Sequence, residues 1–345
     1  MASRRTPGRR TLGKGRGFRL VLLEEISHLR VSEIAAGAAV VIIPISPLEE
    51  HGPHLPIGTD LFISGELSRA IALKIEERWP DVTSVVAPMI PLGAQAVPGA
   101  GSVSARQATL RDVLFEFIRG LARSHFRYFV LVSAHGSVGH LVALEEVAEK
   151  ARRELGVRVE PALSAIVVPF LTGRYLDDIE GRMGYPLPAD QREAILSDCH
   201  AGQWETGAML EMRPDLVGEE YLSLPPILFE GWLQVRDKML QSCSQGLGYV
   251  GAPAFATRDY ANAASETLQE KIIDRVDAML HQNRFRPSHT PFYYWPAYRS
   301  GPVFRARWVI RALSTAFTAG AVLGIGAGAI VTWRWLARTP QTTQE

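Results

Sequence analysis

The sequence predicts an α/β fold, a mostly parallel sheet with helices on both faces, followed by a C-terminal transmembrane helix. Two observations carry this reading. Between about residues 38 and 168 short apolar runs alternate with amphipathic helical patterns, uninterrupted by any internal repeat. Near the end of the chain, Ala312 to Trp333 forms 22 residues without a charge.

The elements follow in order. Residues 1–20 carry Arg4, Arg5, Arg9, Arg10, Lys14, Arg16 and Arg19 and no acid, so they read as a disordered basic arm. Arg and Gly interrupt the apolar core that a signal peptide would need. Ala39 to Pro44 reads as a buried strand, and residues 60–79 as a helix with Ile63, Leu67, Ala70, Ile71 and Ile75 on one face. A strand over 84–88 and a Gly- and Pro-containing loop over 92–103 precede a helix marked by Leu110, Val113, Leu114, Phe117, Ile118 and Leu121. The strand 128–133 leads into a helix over 138–155 that stops at Gly156. Ala165 to Val168 is a continuous apolar run suited to another parallel strand. Residues 171–198 read as an irregular excursion, and a last helix spans about 204–212 before Pro214.

The 22-residue run spans about the thickness of a bilayer's hydrocarbon core at a helical rise of about 1.5 Å per residue. Arginines flank it and Trp308, Trp333 and Trp335 stand at its edges, which favours a membrane span over a buried Ala- and Gly-rich core helix. Gly320, Gly324 and Gly328 share one face and would admit a second helix closely, so a homo-oligomer is expected. Phe292 to Arg299 reads as an interfacial aromatic belt or a docking strip. Three arginines before the span against two after it slightly favour a cytoplasmic body.

Hydrophobic and charged fractions of 47% and 21% exclude a disordered or fibrous chain. With a chain net charge of +1, +7 in residues 1–20 and +4 from residue 305 onward, the stretch between carries −10. An acidic body argues against a nucleic-acid surface. Only Cys199 and Cys243 occur, too few for a disulfide framework and without metal-type spacing, which fits a reducing compartment.

In an open parallel sheet ligands bind beyond the carboxyl ends of the strands. After the first long strand lies Ser46 to Asp60, with Glu49, Glu50, His51, His54 and Asp60 on a segment stiffened by Pro53 and Pro56. Alternation in extended backbone turns Glu49 and His51 together and Glu50 away, while Asp60 returns at a helix start. Carboxylate, imidazole and carboxylate on one loop suit a divalent transition metal; a solvated acidic loop with Asp60 as a cap is the competing reading. After the strand ending near 133, His135 stands where it could complete a metal shell, and His140 falls inside the helix as a surface or packing residue. His200 sits on a glycine turn with Glu205 in the first turn of the next helix, which reads equally as a site or as an ordinary helix start. Nothing marks the Cys199 thiol as activated.

These three segments resemble the creatininase (creatinine amidohydrolase) family. Its signature is similar to Glu49-Glu-His-Gly-Pro-His-Leu-Pro-Ile-Gly-Thr-Asp60, Ser133-Ala-His-Gly-Ser-Val138 and His200-Ala-Gly-Gln-Trp-Glu-Thr206, in this order. The resemblance covers roughly residues 25–280. It implies a two-metal centre, often zinc, manganese or iron, in which Asp60 bridges both ions, Glu49 and His135 hold one and His51 the other. In creatininase proper an acid two residues after the second-motif histidine completes the second shell; here that position is Ser137, so Glu205 or water would complete it, or one ion alone would be held. The second motif also carries Ser133-Ala134 and Val138 where the family has Asn-Gly and Asn. The implied chemistry is hydrolysis of an amide or cyclic amidine C–N bond, with His200 or Glu205 moving the proton to the leaving nitrogen. Family substrates include creatinine, formamidopyrimidine intermediates and a modified peptide.

The expected organisation is a basic arm (1–20), a metal-dependent hydrolase domain (21–290), an aromatic and basic juxtamembrane linker (291–311), a single-pass span (312–333) and a short polar tail (334–345). The expected partners are a small amide or short peptide and the membrane, with no nucleic acid. A catalytically silent scaffold of the same fold is the alternative; retention of Glu49, His51, Asp60 and His135 together favours the enzyme.

Overall fold

The structure, a computed structural model, describes residues 20–231, 234–295 and 298. The basic arm and the apolar segment 312–333 lie outside the described residues, and among the described residues no helix is long and apolar enough to cross a membrane. The chain divides into two compact units, 1–294 and 295–345.

Five strands form one parallel sheet: β1 (Val21–Leu22), β2 (Ala38–Pro44), β3 (Val82–Val86), β4 (Tyr128–Val132) and β5 (Arg158–Pro161), in the spatial order β1-β3-β2-β4-β5. Every residue of β2 after Ala38 is buried, the mark of a central strand covered on both faces. Its side chains alternate between two cores. Val41, Ile43 and Ile45 join Phe129 and Leu131 under α3 (Gln107–Arg123) and α4 (Val138–Leu155). Val40 and Ile42 join Val130 and Val132 under α2 (Thr59–Arg78) and two later helices, α5 (Ala162–Leu171) and α10 (Arg258–His281). A short α1 (His28–Ala35) precedes β2 and is capped by the Ser27 hydroxyl.

The helices and strands expected between residues 38 and 155 form within two residues of the predicted bounds, and Gly156 ends α4 in the left-handed region at φ 67°. Beyond that point three expectations are corrected. Ala165 to Val168 is not a strand: it lies inside α5, and the strand is the preceding Arg158–Pro161. The run is apolar throughout because it packs between the sheet and α10, a burial as complete as a strand's. The stretch 171–198 contains two short helices, α6 (Leu176–Met183) and α7 (Ala189–Ile195). The helix near 204–212, α8 (Gln203–Met212), is not the last, for α9 (Val235–Ser244) and the 24-residue α10 follow. The buried face of α10 includes Ala261, Ala263, Ala264 and Ala278, small residues that blunt the hydrophobic period.

The end of the first unit is held by acids. Glu160, wholly buried, receives both the Arg275 guanidinium (3.1 and 3.2 Å) and the Ser288 amide (3.2 Å). Glu145, also wholly buried, receives the Thr290 amide at 2.6 Å. Tyr293, within the expected linker, is buried and stacks on His289 at a centroid distance of 4.0 Å, while Tyr294 beside it is exposed.

Burial pushes the Glu145 carboxyl up to about 7, against the opposing pull of the Thr290 and Ser164 hydrogen bonds. Its folded value lies above the ordinary carboxylate value of 4.5, so the native state holds the extra proton between the two and stability falls as pH rises through that window. Glu145→Gln keeps the acceptor and removes the titration. Its melting temperature, relative to the parent chain, is therefore expected to rise between pH 4.5 and pH 8; thermal melts giving the same difference at both pH values would refute the assignment.

Candidate metal centre

The strand order reverses direction around β2, with β3 on one side and β4 on the other, and the loops after β2 and β4 open at that point. Three buried serines fix how those loops leave the sheet. Ser46 after β2 hydrogen-bonds both Ser64 on α2 (2.8 Å) and Ser133 after β4 (2.9 Å). Ser64 Oγ accepts the Ala134 amide at 2.8 Å and Ser133 Oγ the His135 amide at 3.1 Å. Ser133, which replaces the family's asparagine, is thus occupied in placing His135.

On this frame Glu49, His51, Asp60 and His135 converge, all at 5% exposure or less. His135 Nδ1 lies 2.6 Å from Glu49 Oε2 and 3.5 Å from Asp60 Oδ2. The other Asp60 oxygen, Oδ1, lies 3.6 Å from His51 Nε2, which is 3.7 Å from Glu205 Oε2. Three overlapping groups of side chains could each hold an ion: Glu49, Asp60 and His135; His51, Asp60 and Glu205; Glu49, His51 and His200. The first two share Asp60.

Each imidazole is oriented from behind. His51 Nδ1 donates to the Glu49 carbonyl (3.0 Å), leaving Nε2 toward the carboxylates. His135 Nε2 meets the Ala94 carbonyl (3.1 Å) and the Ser137 hydroxyl (2.7 Å), leaving Nδ1 forward. Ser137 also donates to Ala94 O at 2.7 Å, so the residue at the family's acidic position stands behind His135 rather than among the carboxylates. His200 Nε2 donates to the Glu50 carbonyl at 2.7 Å, and its ring lies 4.3 Å from that of His51. Glu50 turns its own side chain to the Gly52 amide, as alternation requires.

Glu205 comes from the first turn of α8, whose start depends on a residue the sequence reading passed over. Asp198 accepts the Gln203 amide at 2.8 Å and the Trp204 amide at 2.9 Å, capping a helix whose own N-cap residue, Gly202, has no side chain. A Cβ on Gly202 would fall 1.6 Å from Asp198 Oδ1, so only glycine fits there. Glu205 Oε2 accepts the Ala201 amide, completing the cap from the other direction. An acid five residues before Gln203, beside a glycine turn, is the signal that marks Asp198.

Electrostatics match the donor set. Burial opposes charge on His51, but Asp60, Glu205 and Glu49 outweigh it and push its pKa up to about 10. Burial likewise opposes charge on His135, and Glu49 and Asp60 hold it well above the usual imidazole range. The same histidines keep the buried Asp60 carboxyl well below its usual value. Burial raises Glu205, with His51 and His200 pulling the other way. Burial and the nearby Asp198 and Glu205 carboxylates push the Cys199 thiol up, which rules out a thiolate nucleophile. His140, expected as a surface or packing residue, is the latter: it is fully buried and edge-on to His135 at 5.0 Å. His54 bonds Thr206 Oγ1 at 2.9 Å and, lowered by burial to about 4, stays neutral as a tie between the first and third motifs.

Despite these close approaches, Glu49 Oε2, both Asp60 oxygens and His51 Nε2 have no partner in hydrogen-bond geometry. Four orphaned, buried polar atoms facing one another are a donor set of oxygen and nitrogen that fits divalent cations.

Ser64→Ala removes the acceptor of the buried Ala134 amide and is expected to cost about 1–3 kcal/mol of stability, read by denaturant unfolding. A variant as stable as the parent chain would dismiss the serine cluster as a structural tie.

The chain matches the family model described as "Creatininase: Creatinine amidohydrolase" over residues 24–276. It is 31% identical over 225 residues to a mycofactocin precursor peptide peptidase of Mycolicibacterium smegmatis, covering 63% of this chain and 76% of that protein. It is 26% identical over 212 residues to a creatinine amidohydrolase of Pseudomonas putida, covering 57% of this chain and 74% of that protein. The solved structure of a creatinine amidohydrolase (creatininase) superposes with a TM-score of 0.54 at 24% identity, over 75% of this chain and 97% of that one. One described as "Creatininase Mn" gives 0.53 at 24% identity, over 75% and 98%. With the match spanning β2 to β5 and all three site segments, the chain belongs to the creatininase family.

Proposed function

We propose that this chain is a metal-dependent amidohydrolase that cleaves a C–N bond of a cyclic or linear amide. The single observation that carries the reading is Asp60: each of its oxygens faces a different imidazole, His135 and His51, and neither has a hydrogen-bond partner. On this reading Asp60 would serve both ions, Glu49 and His135 would hold one, and His51 would hold the other with Glu205, in the place of an acid at residue 137. Divalent ions bound there would acidify water and polarise the carbonyl under attack. The relatives support zinc or manganese, since solved creatininases include a manganese and a Zn-Zn type. The names of the relatives above, a creatinine amidohydrolase and a precursor peptide peptidase, support a creatinine-like ring or a short peptide as substrate, and the family resemblance adds a formamide.

His200 and Glu205 are also placed to move protons, Glu205 in addition to its place beside His51. His200 is fixed through Nε2 by the Glu50 carbonyl, which leaves Nδ1 to carry a proton. Glu205, raised by burial, is the carboxyl in the site best suited to accept a proton and pass it to the leaving nitrogen.

We further propose that residues 312–333 anchor the enzyme in a membrane with the hydrolase body in the cytoplasm, and that the protein is a homo-oligomer. The support is the uncharged 22-residue run with flanking arginines and the small-residue face of Gly320, Gly324 and Gly328.

Protein prepared without chelator is expected to contain about one to two equivalents of a divalent metal, and Asp60→Ala to lose it. Full metal content in that variant would remove Asp60 from the site. His200→Ala is expected to keep its metal and lose turnover by about 100-fold on whichever of creatinine, formamidopyrimidines, lactams or short peptides is a substrate. A metal-loaded chain inert on all four classes would instead support the silent scaffold.

Full-length protein is expected to sediment with membranes and resist alkaline carbonate, whereas a chain truncated near Phe292 stays in the supernatant. Release of the full-length chain by high salt would leave the basic arm alone responsible for attachment.

A further inference from the structure

The two groups nearest each other in the site, Glu49 and His135, share a support. The loop Gly93 to Val97 reaches both. Its Ala94 carbonyl takes His135 Nε2, and its Val97 amide donates to Glu49 Oε1. A shift of this loop therefore acts directly on Glu49 and His135, and reaches His51 only through the Glu49 carbonyl.

The loop has no regular secondary structure of its own, and α4 holds it at two points. Ala94 donates its amide to His140 Nδ1 at 3.4 Å, a long bond from a fully buried ring. Gln95 makes the shorter contact, its Oε1 accepting the Gly139 amide at 2.6 Å. Gln95 does so from φ 58°, the left-handed region that a residue with a side chain avoids. Gly139 lets the amide lie flat against the helix start: a Cβ there would fall 2.6 Å from Gln95 Cδ. Strain in a side-chain-bearing residue persists only where its surroundings over-determine it, and here the surroundings are the supports of Glu49 and His135.

We propose that Gln95 is a positioning residue for the Glu49 and His135 half of the metal centre, acting through the loop backbone, an inference that rests on the metal-centre reading above. Gln95 itself is exposed, so replacing it leaves the two cores untouched.

The test is a stepwise cobalt titration of the full chain against a competing chelator, with His135→Ala identifying which of the two constants belongs to this half. Gln95→Gly relaxes the backbone and removes the anchor. It is expected to weaken that one constant by about 10-fold and leave the other unchanged, with the cobalt absorption bands of that ion altered. Gln95→Glu keeps the acceptor oxygen and is expected to restore the constant. Apoprotein melts check that each variant folds as the parent does. Wild-type constants in Gln95→Gly would overturn the inference, as would an equal loss in Gln95→Glu, which would show that the oxygen is not what matters. A parent chain that takes up no cobalt would overturn the metal-centre reading instead.

Discussion

Asp60 is a carboxylate with 1% exposure and no hydrogen bond to either oxygen. Such a group is among the most costly that a protein can bury, and it persists only against compensating positive charge. Two protonated imidazoles supply that charge in the chain alone, which is why His51 and His135 are pushed up and Asp60 down together. Divalent cations bound there would meet the same need better, displacing the imidazole protons and taking the orphaned atoms as ligands. Much of the surrounding structure follows from keeping these opposed groups apart by fixed distances instead of letting them collapse into ordinary ion pairs.

That fixing is distributed over the sheet. β2 and β4 deliver their loops side by side, the serine cluster ties both to α2, and α2 presents Asp60 in its first turn, where the helix dipole favours an anion. Each imidazole is then clamped by a backbone carbonyl: Glu49 for His51, Ala94 for His135, Glu50 for His200. A carbonyl accepts only, so it dictates the tautomer, and a rotated or flipped ring would lose its bond. Two of the three carbonyls belong to the Glu49-Glu50 pair itself, which makes the first motif both a source of ligands and the support of ligands from elsewhere.

What was legible in the sequence was whatever repeats or crowds. The strands between residues 38 and 132 announced themselves by alternation with helices, and Glu49, His51, Asp60 and His135 by density of ligand types beyond strand ends. The supports were not legible. Ser46, Ser64 and Ser133 are ordinary residues whose meaning lies in meeting across 87 positions of sequence, and Asp198 caps a helix from outside it. α5 was misread because full burial erases periodicity, so a helix and a strand both appear as a run of apolar residues. α10 was missed for a related reason: alanines fill much of its face against α8, where bulkier residues would not fit.

Ser137 shows how a single replacement redistributes roles. Its hydroxyl lies behind His135 and shares Ala94 O, so it contributes orientation and no charge to the front of the site. The acidic donors left there are Glu49, Asp60 and Glu205. Asp60, between two imidazoles, is held well below the usual range and remains an anion. Glu205 has one oxygen bound to the Ala201 amide and is raised by burial, so it gains a proton more easily than Asp60. On the proposed reading, the position that would compensate for the missing acid is also the one able to exchange protons, which would join ligation and proton transfer in one side chain on α8. That junction explains why the start of α8 is so closely constrained, with Asp198 capping it and Gly202 leaving no space for any side chain but its own hydrogen.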